Sequence, residues 1–468
     1  MGSKRNNSKW VHFAIPAHNE ASTVAKTIAK VVKRCTKPGY DKITNFLTSS
    51  KDSRLFNSAL ILLIAAFYVF RAHTYILRPQ LYAEDGAVWL AGAYNKGIGT
   101  VFQSYNGLSH LFERLFGLAA VHLAPFQYEP FLFVFSALLI FLLLCHYLLS
   151  KRSEILTTNY QKLFFVLSLC LLGNAEEFYF SFSNSVFLLG IIGLLLLVIN
   201  KSRHKTVNVL EKILFFILCF TIVFSWIYII ILAFEFIWQR RKRYYYLAFA
   251  LVGSVTQFLI HIHQAVGQRP NIPTRYLISK ATLFEFYNQI ITPSLRFGRQ
   301  DISPLIRTTT DLVFVCAALL LSGLIVAFIF YKSNYKTKCL LFFCLVMTII
   351  SLKSPINGQT APAAIVIAMA TYHWGNRYFI FGILGMFIVW AKFSQRLFKK
   401  QYLPAFLLVF FTFGLLSSIT LGSFYIQKYF IDMRPQYAKG VAQLKHSRNQ
   451  SIVIPINPAG WYISLQPK

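Results

Sequence analysis

Long apolar segments alternate with short polar ones along most of this chain. The first apolar segment covers residues 55–77, and others of similar length follow as far as residue 425. Each has about 17–25 residues, the length that a helix needs to cross the hydrocarbon core of a bilayer. The pattern therefore predicts an all-α fold, namely a polytopic membrane bundle of about ten to twelve spans.

Two regions depart from this simple alternation. Residues 87–123 place apolar side chains at helical spacing among polar ones, which predicts amphipathic helices in the loop after the first span. Residues 213–238 are long enough for one tilted span or for two short ones. Because both flanks of this second region are basic, we expect a break near Ser225 that lets the chain leave the cytoplasm and return.

Basic residues gather in short clusters between the apolar segments. The chain has 47 Lys and Arg against 16 Asp and Glu, a net charge of +31, and only 13% charged residues. Clusters such as 201–205 and 392–400 are typical of cytoplasmic loops, so the charge indicates attraction to membrane lipid and no nucleic-acid partner. The flank before residue 55 is also basic, which predicts that the first span enters from the cytoplasm.

This orientation divides the chain into three regions. Residues 1–54 form a basic cytoplasmic segment, residues 55–425 form the transmembrane domain, and residues 426–468 form an extracytoplasmic tail. The tail ends in a stretch that alternates apolar residues with Pro and Gly, which we expect to pack against the outer face of the bundle.

Two adjacent acids, Glu84 and Asp85, follow the first span in a chain where acids are scarce. A carboxylate can take the proton of an attacking hydroxyl, and two neighbouring carboxyls can divide this work or hold a divalent cation. The alternative is a solvated loop acid that caps the helix starting at Gly86. No set of ligands elsewhere demands a metal, so the sequence predicts no required cofactor and is compatible with a divalent cation.

The motif around these acids resembles a known family. Residues 84–86 (EDG), 95–97 (NKG) and 105–107 (YNG) look like the first outer loop of bacterial GT-C type glycosyltransferases, which include O-antigen and cell-surface glucosyltransferase-like membrane proteins. The resemblance implies that Asp85 is the catalytic base, with Glu84 as the alternate base or a cation ligand. It also implies a bacterial plasma-membrane enzyme that moves sugar from a polyprenyl phosphate to a cell-envelope glycan on the extracytoplasmic face.

Several other polar residues of the predicted outer loops are candidates for binding substrate. Arg side chains suit bidentate contact with a phosphate, and the family resemblance implies an Arg-Tyr pair at the mouth of a late span. Asn and Glu side chains can hydrogen-bond sugar hydroxyls. The alternatives are an aromatic belt at the interface and ordinary polar connectors. The candidates are Arg377, Tyr378, His373, Arg296, Arg299, Glu176, Glu177 and Asn184.

A second resemblance lies near the N-terminus. Residues 15–20 (IPAHNE) and the following 21–27 are similar to the opening strand, turn and helix of family-two nucleotide-sugar glycosyltransferases. That fold needs several strands, and its Asp-x-Asp motif occurs nowhere in this sequence. We interpret the stretch as a remnant, a fusion scar or a cytoplasmic amphipathic helix.

Three other functions stay open from the sequence. A lipid-linked-sugar flippase or transporter predicts charges along a path through the membrane, and Glu235 is a candidate that we expect instead to pair with Arg240 or Arg241. An O-antigen polymerase or ligase predicts a large outer loop with Arg residues, as in 264–310. A purely structural membrane protein predicts that Glu84 and Asp85 are dispensable.

Overall fold

The computed structural model describes residues 38–50, 53–172, 181–239, 243–264, 283, 286–296, 309–353, 379–420, 431–446 and 450–466. Within these residues the fold is an all-α bundle, as the apolar pattern predicts. Six helices are long and apolar enough to cross a membrane, and two shorter apolar helices cover Phe182–Val198 and Phe224–Ile237. The six are Arg54–Arg71, Phe126–Leu149, Tyr244–His263, Leu312–Lys332, Ile380–Leu397 and Lys400–Thr420.

The described helices are numbered in chain order. The first nine are α1 (Pro38–Thr48), α2 (Arg54–Arg71), α3 (His73–Leu77), α4 (Ala91–Lys96), α5 (Leu111–Leu123), α6 (Glu129–Leu149), α7 (Asn159–Cys170), α8 (Phe182–Val198) and α9 (Lys205–Cys219). The others are α10 (Phe224–Gln239), α11 (Tyr244–Gln264), α12 (Thr292–Arg296), α13 (Thr309–Lys332), α14 (Tyr335–Lys353), α15 (Ile380–Leu397), α16 (Leu403–Thr420) and α17 (Arg434–His446). Short π-helical and 3₁₀ turns are Asp85–Leu90, Gly97–Phe102, Phe126–Tyr128, Tyr287–Ile291 and Lys400–Tyr402.

Helix α8 lies at the centre of the bundle and is buried along nearly its whole length. Gly190 and Gly193 leave no side chain on one of its faces, which lets the rings of Phe224 and Tyr228 on α10 approach closely. The Tyr228 hydroxyl donates a hydrogen bond to the Gly190 carbonyl at 2.7 Å. Small residues that admit a close neighbour are a common way to pack helices in lipid, where apolar burial between helices contributes little.

The break expected near Ser225 is present, a few residues earlier, between α9 and α10. The chain reverses at residues 220–223, and Ile222 adopts a positive φ of 53°. The loop after the first span docks into this break, because the Ile222 N–H donates to the Ser109 carbonyl at 3.0 Å and the Leu111 N–H to Phe220 at 3.3 Å. The turn between α9 and α10 therefore holds the loop in place at residues 109–111.

Charged side chains at the end of the bundle remote from this loop are held in ion pairs. Arg152, just after α6, lies 2.7 Å from Glu211 on α9. Glu235 lies 3.3 Å from Arg243. The predicted partners of Glu235, Arg240 and Arg241, lie outside the described residues, so that pairing stays a prediction.

The loop after the first span, called here the first loop (residues 78–123), is built from short helical pieces. It contains the π-helical turn Asp85–Leu90, α4, a 3₁₀ turn and α5. Helix α5 is amphipathic with its charged side inward, because Glu113 and Arg114 are buried while Leu123 is exposed. This is the reverse of a surface helix in water, and it is how membrane proteins normally place charged side chains.

The C-terminal tail folds back onto the first loop. Strands β1 (Ile452–Ile456) and β2 (Trp461–Leu465) form an antiparallel hairpin in which Ile452 pairs with Leu465. Asn457, in the turn, accepts from the Ala83 N–H at 2.5 Å and donates its own N–H to Leu81 at 3.3 Å. The tail therefore packs on the bundle as expected, and its contact is specifically with the chain beside the acid pair.

Candidate active site

Asp85 is fully engaged by the start of helix α8. Its carboxylate accepts the Phe182 N–H at 3.1 Å and the Ser183 N–H at 2.7 Å, and it also accepts the Ser183 hydroxyl. The first N–H groups of a helix have no partner within the helix, and they carry the positive end of its dipole. Asp85 therefore caps α8, about a hundred residues away. The alternative of a solvated loop acid that caps the helix starting at Gly86 is wrong, because Asp85 is buried and its carboxylate accepts from the start of a different helix.

The surroundings of Asp85 change its acidity. The residue is 1% exposed. Burial is the largest influence and raises the pKa of the Asp85 carboxyl to about 7, while the hydrogen bonds from Ser183 and Phe182 oppose this rise. The neighbouring negative charge of Glu84 raises the pKa further. A carboxyl of this kind exchanges its proton near neutral pH.

Trp89 lies one turn after Asp85 and contacts the same serine. Its indole N–H donates to the Ser183 hydroxyl at 2.7 Å, so Ser183 joins the carboxylate and the indole. The rings of Tyr105 and His110 lie beside the indole, with centroids 5.4 Å and 5.1 Å away. The inner side of the π-helical turn is thus a buried polar and aromatic cluster.

Glu84 occupies the other side of this turn. It is half-buried, and among the described residues no hydrogen bond or ion pair to its carboxylate is found. The chain from Asp85 is π-helical, with more than four residues per turn, so Glu84 lies about one turn before Val88, and Ala87 is next to Val88. Those two residues line a cavity of about 520 Å³ that is closed on its far side by the C-terminal hairpin. The two acids therefore differ in their surroundings, since Asp85 is buried against α8 and Glu84 is half-buried on the other side of the turn.

Three charged or titratable residues of the first loop form a group that the sequence analysis did not single out. His110 Nδ1 lies 3.4 Å from Glu113 Oε1, and both side chains are buried. Arg114 donates to the Val88 carbonyl at 3.1 Å and lies over the Trp89 ring at 4.9 Å. The sequence could have indicated this group, because charged or titratable residues three and four positions apart in an apolar helix share one face.

The predicted substrate-binding residues are only partly described. Asn184 is buried in the first turn of α8, directly after Ser183, so the structure brings it near Asp85. Arg296 is the last residue of α12, and its side chain is not described. The others lie outside the described residues, and their roles stay predictions: Arg377, Tyr378, His373, Arg299, Glu176 and Glu177.

The described side chains give little support for a bound metal ion. Within the described part of the chain, no group of three or more His, Cys, Asp or Glu side chains could hold a metal ion. His261 and His263 are both exposed near the end of α11, at a spacing that points them to different faces of the helix. Any cation at the acid pair would need ligands from substrate or water in addition to the protein.

Comparison with known proteins leaves the arrangement without a counterpart. No protein-family model, no curated protein and no solved structure matches this chain. The assignment of function therefore depends on the geometry of the first loop and on the chemistry of its side chains.

Proposed function

We propose that this membrane protein is a glycosyltransferase that moves a sugar from a polyprenyl-phosphate donor to a hydroxyl of a cell-envelope glycan. The reaction would take place at the first loop, on the extracytoplasmic face of a bacterial plasma membrane. The single observation that supports the proposal most is the division of the acid pair. One carboxylate is fixed to a central helix, and the other lies one turn from a cavity wall.

In this proposal Glu84 is the general base. A base must reach the hydroxyl proton directly or through one water, and Asp85 is buried with both oxygens hydrogen-bonded. Glu84 takes the proton as the acceptor oxygen bonds to the anomeric carbon of the donor sugar. The bond from that carbon to the phosphate oxygen breaks, and the lipid phosphate leaves with the electron pair. The products are a glycoside, a polyprenyl phosphate and a protonated Glu84.

Asp85 then acts as a positioning residue. Its hydrogen bonds to Ser183 hold the π-helical turn against α8, which sets the direction of the neighbouring Glu84. Asn184 is close enough in sequence to Ser183 to contribute to the same region. The departing phosphate needs a cation, and the predicted Arg377, Arg296 and Arg299 remain the candidates for that role.

The test compares Glu84→Gln with Asp85→Asn in cells that lack the native gene. Both variants and the wild type are expressed at matched membrane levels, and hexose addition to envelope glycan is measured by mass spectrometry. We expect Glu84→Gln to lower modification by about a hundredfold or more, because a general base contributes that much to a rate. Its thermal midpoint should stay at the wild-type value.

Asp432→Asn is the matched control, because Asp432 is an exposed acid in the tail segment that packs on the first loop. It should modify glycan as the wild type does. Full modification by Glu84→Gln would exclude Glu84 as the base. Loss of modification in Asp85→Asn alone, with an unchanged thermal midpoint, would return that role to Asp85.

A further inference from the structure

The cavity beside the acid pair has the size and lining of a ligand site. Its volume of about 520 Å³ lies within the usual range for small-molecule pockets. One wall is the π-helical turn with α4, and the opposite wall is strand β2. The polar and aromatic residues that line it are Asn95, Lys96, Gln103, Arg114, Trp461, Tyr462 and Ser464.

The cavity carries positive charge. Arg114 is 4% exposed, and its guanidinium is fixed by hydrogen bonds to the Val88 carbonyl and, at 3.0 Å, to the Thr100 hydroxyl. Lys96 is exposed at the rim. No Asp or Glu is among the described residues that line the cavity. Glu113, the nearest acid in sequence, lies 3.4 Å from His110.

Arg114 brings a fixed positive charge to the cavity wall. Its Nε is buried and has no hydrogen-bond partner among the described residues. Because this Nε has almost no accessible surface, Arg114 acts on the cavity through its charge rather than through this donor. A cation held rigidly at a cavity wall is suited to an anionic group.

The second wall adds surfaces suited to a sugar. Trp461 is half-buried and Tyr462 is exposed, and such rings combine an apolar face with a hydrogen-bonding edge. Asn95 fixes the hairpin at this position, because it donates to the Ser464 carbonyl and accepts the Gln466 N–H, each at 2.8 Å. The Gln103 amide is a further polar group in the lining.

We propose that this cavity binds a saccharide that carries an acidic group, with the acid beside Arg114 and Lys96 and the sugar rings against Trp461 and Tyr462. The role of this saccharide as the acceptor rests on the proposed transferase, whereas its binding does not. The acceptor glycan would then be an acidic polymer. Its hydroxyl would approach Glu84 along the helix face that also carries Ala87 and Val88.

Binding is measured without turnover, so that failure here and failure of the transfer are distinguishable. The full-length protein in detergent is titrated by calorimetry with α-1,4-digalacturonate and with its neutral counterpart, α-1,4-galactobiose. We expect digalacturonate to bind roughly tenfold more tightly, because charged hydrogen bonds are about twice as strong as neutral ones. Added salt should weaken the binding of digalacturonate and leave the binding of galactobiose unchanged.

Variants locate the site. Lys96→Gln should weaken digalacturonate roughly threefold, as expected for a charge at the rim. Trp461→Leu should weaken both disaccharides, by roughly tenfold. Lys439→Gln is the matched control, because Lys439 is an exposed lysine on α17 outside the cavity, and it should change nothing. Arg114→Gln is less suitable, because Arg114 also holds the first loop together.

Four outcomes would overturn the proposal. Equal affinity for the two disaccharides would show that the acidic group does not contribute to binding. Binding that is retained in both Lys96→Gln and Trp461→Leu would show that the saccharide binds outside this cavity. Absence of binding at about 10 mM ligand would show that the protein has no such site. Inorganic phosphate that binds as tightly as digalacturonate would show a bare anion site rather than a saccharide site.

Discussion

The Ser183 N–H donates to the Asp85 carboxylate at 2.7 Å and so joins two parts of the chain that are 98 residues apart. Through this contact the first loop satisfies the start of the central helix α8. A similar contact holds the end of the preceding helix α7. Arg71, the last residue of α2, donates to the carbonyls of Cys170 and Leu172. A negatively charged side chain at a helix start and a positively charged one at a helix end both interact favourably with the helix dipole.

Removing the Asp85 carboxylate should destabilise the fold. Asp85→Ala leaves buried N–H groups of Phe182 and Ser183 without partners, which should lower the free energy of unfolding by about 3 kcal/mol. The thermal midpoint in detergent is the measurement. Asp432→Ala, at an exposed acid, should leave the midpoint unchanged. A midpoint of Asp85→Ala equal to that of the wild type would show that water replaces the carboxylate without cost.

Stability should depend on pH through the same group. The pKa of Asp85 is about 7 in the folded protein and 3.8 in an ordinary environment, so the folded state binds the proton more tightly. Stability from this group is therefore greatest at low pH and falls as pH rises from about 4 to about 7. Because Asn has no proton to lose, the thermal midpoint of the wild type should fall relative to that of Asp85→Asn as pH rises from about 4 to about 7.

Asp432→Asn is the control for this titration, because it leaves both Asp85 and Glu84 in place and should keep the wild-type pH dependence. A difference between wild type and Asp85→Asn that stays constant with pH would mean that Asp85 is ionised throughout. The hydrogen bonds from α8 would then outweigh its burial.

The packing of α5 against the π-helical turn should tolerate no added methyl group. A Cβ at Gly117 would lie 2.6 Å from the Trp89 carbonyl oxygen, a backbone atom that cannot move alone. Gly117→Ala should therefore destabilise the protein by about 1–3 kcal/mol. Gly99→Ala, in the same loop, meets nothing within 4 Å and should be neutral or slightly stabilising. Equal midpoints for the two variants would contradict this account.

The cap on α7 should protect a nearby thiol. Arg71 is buried, and its two hydrogen bonds of 2.9 Å hold the last turn of α7, which contains the buried Cys170. Arg71→Met should let this turn fray and should raise alkylation of Cys170 by N-ethylmaleimide several-fold. Peptide mass mapping is the measurement, with alkylation of Cys170 in the wild type under the same conditions as the reference. Arg78→Met, at an exposed arginine, should leave Cys170 protected.

The broad architecture could be predicted because lipid as solvent imposes a strong local pattern. Apolar segments of spanning length gave the all-α membrane class, and basic flanks on both sides gave the break between α9 and α10. These features depend on residues close together in the sequence. The acid pair was also recognisable, because charge is scarce in this chain and costly near a bilayer.

The arrangement of the site could not be predicted, because it depends on contacts between distant residues. Nothing near Asp85 in sequence indicates that Ser183 will occupy its oxygens. The inward charges of α5 and the hairpin behind the cavity are further examples. Arg114 and Trp461, which are far apart in sequence, line one cavity only in the folded protein. Helical spacing could have shown that Arg114 shares a face with His110, but not what that face would contact.

The C-terminal hairpin has a consequence for how the protein is made. Asn457 completes hydrogen bonds with Leu81 and Ala83, and Trp461 completes the cavity wall. During synthesis the first loop emerges hundreds of residues before either of them. The growing chain therefore carries its acid pair through membrane insertion with one wall of the cavity missing. The cavity becomes complete only when residues 452–465 arrive, so a chain stopped before them would be inserted with that wall missing.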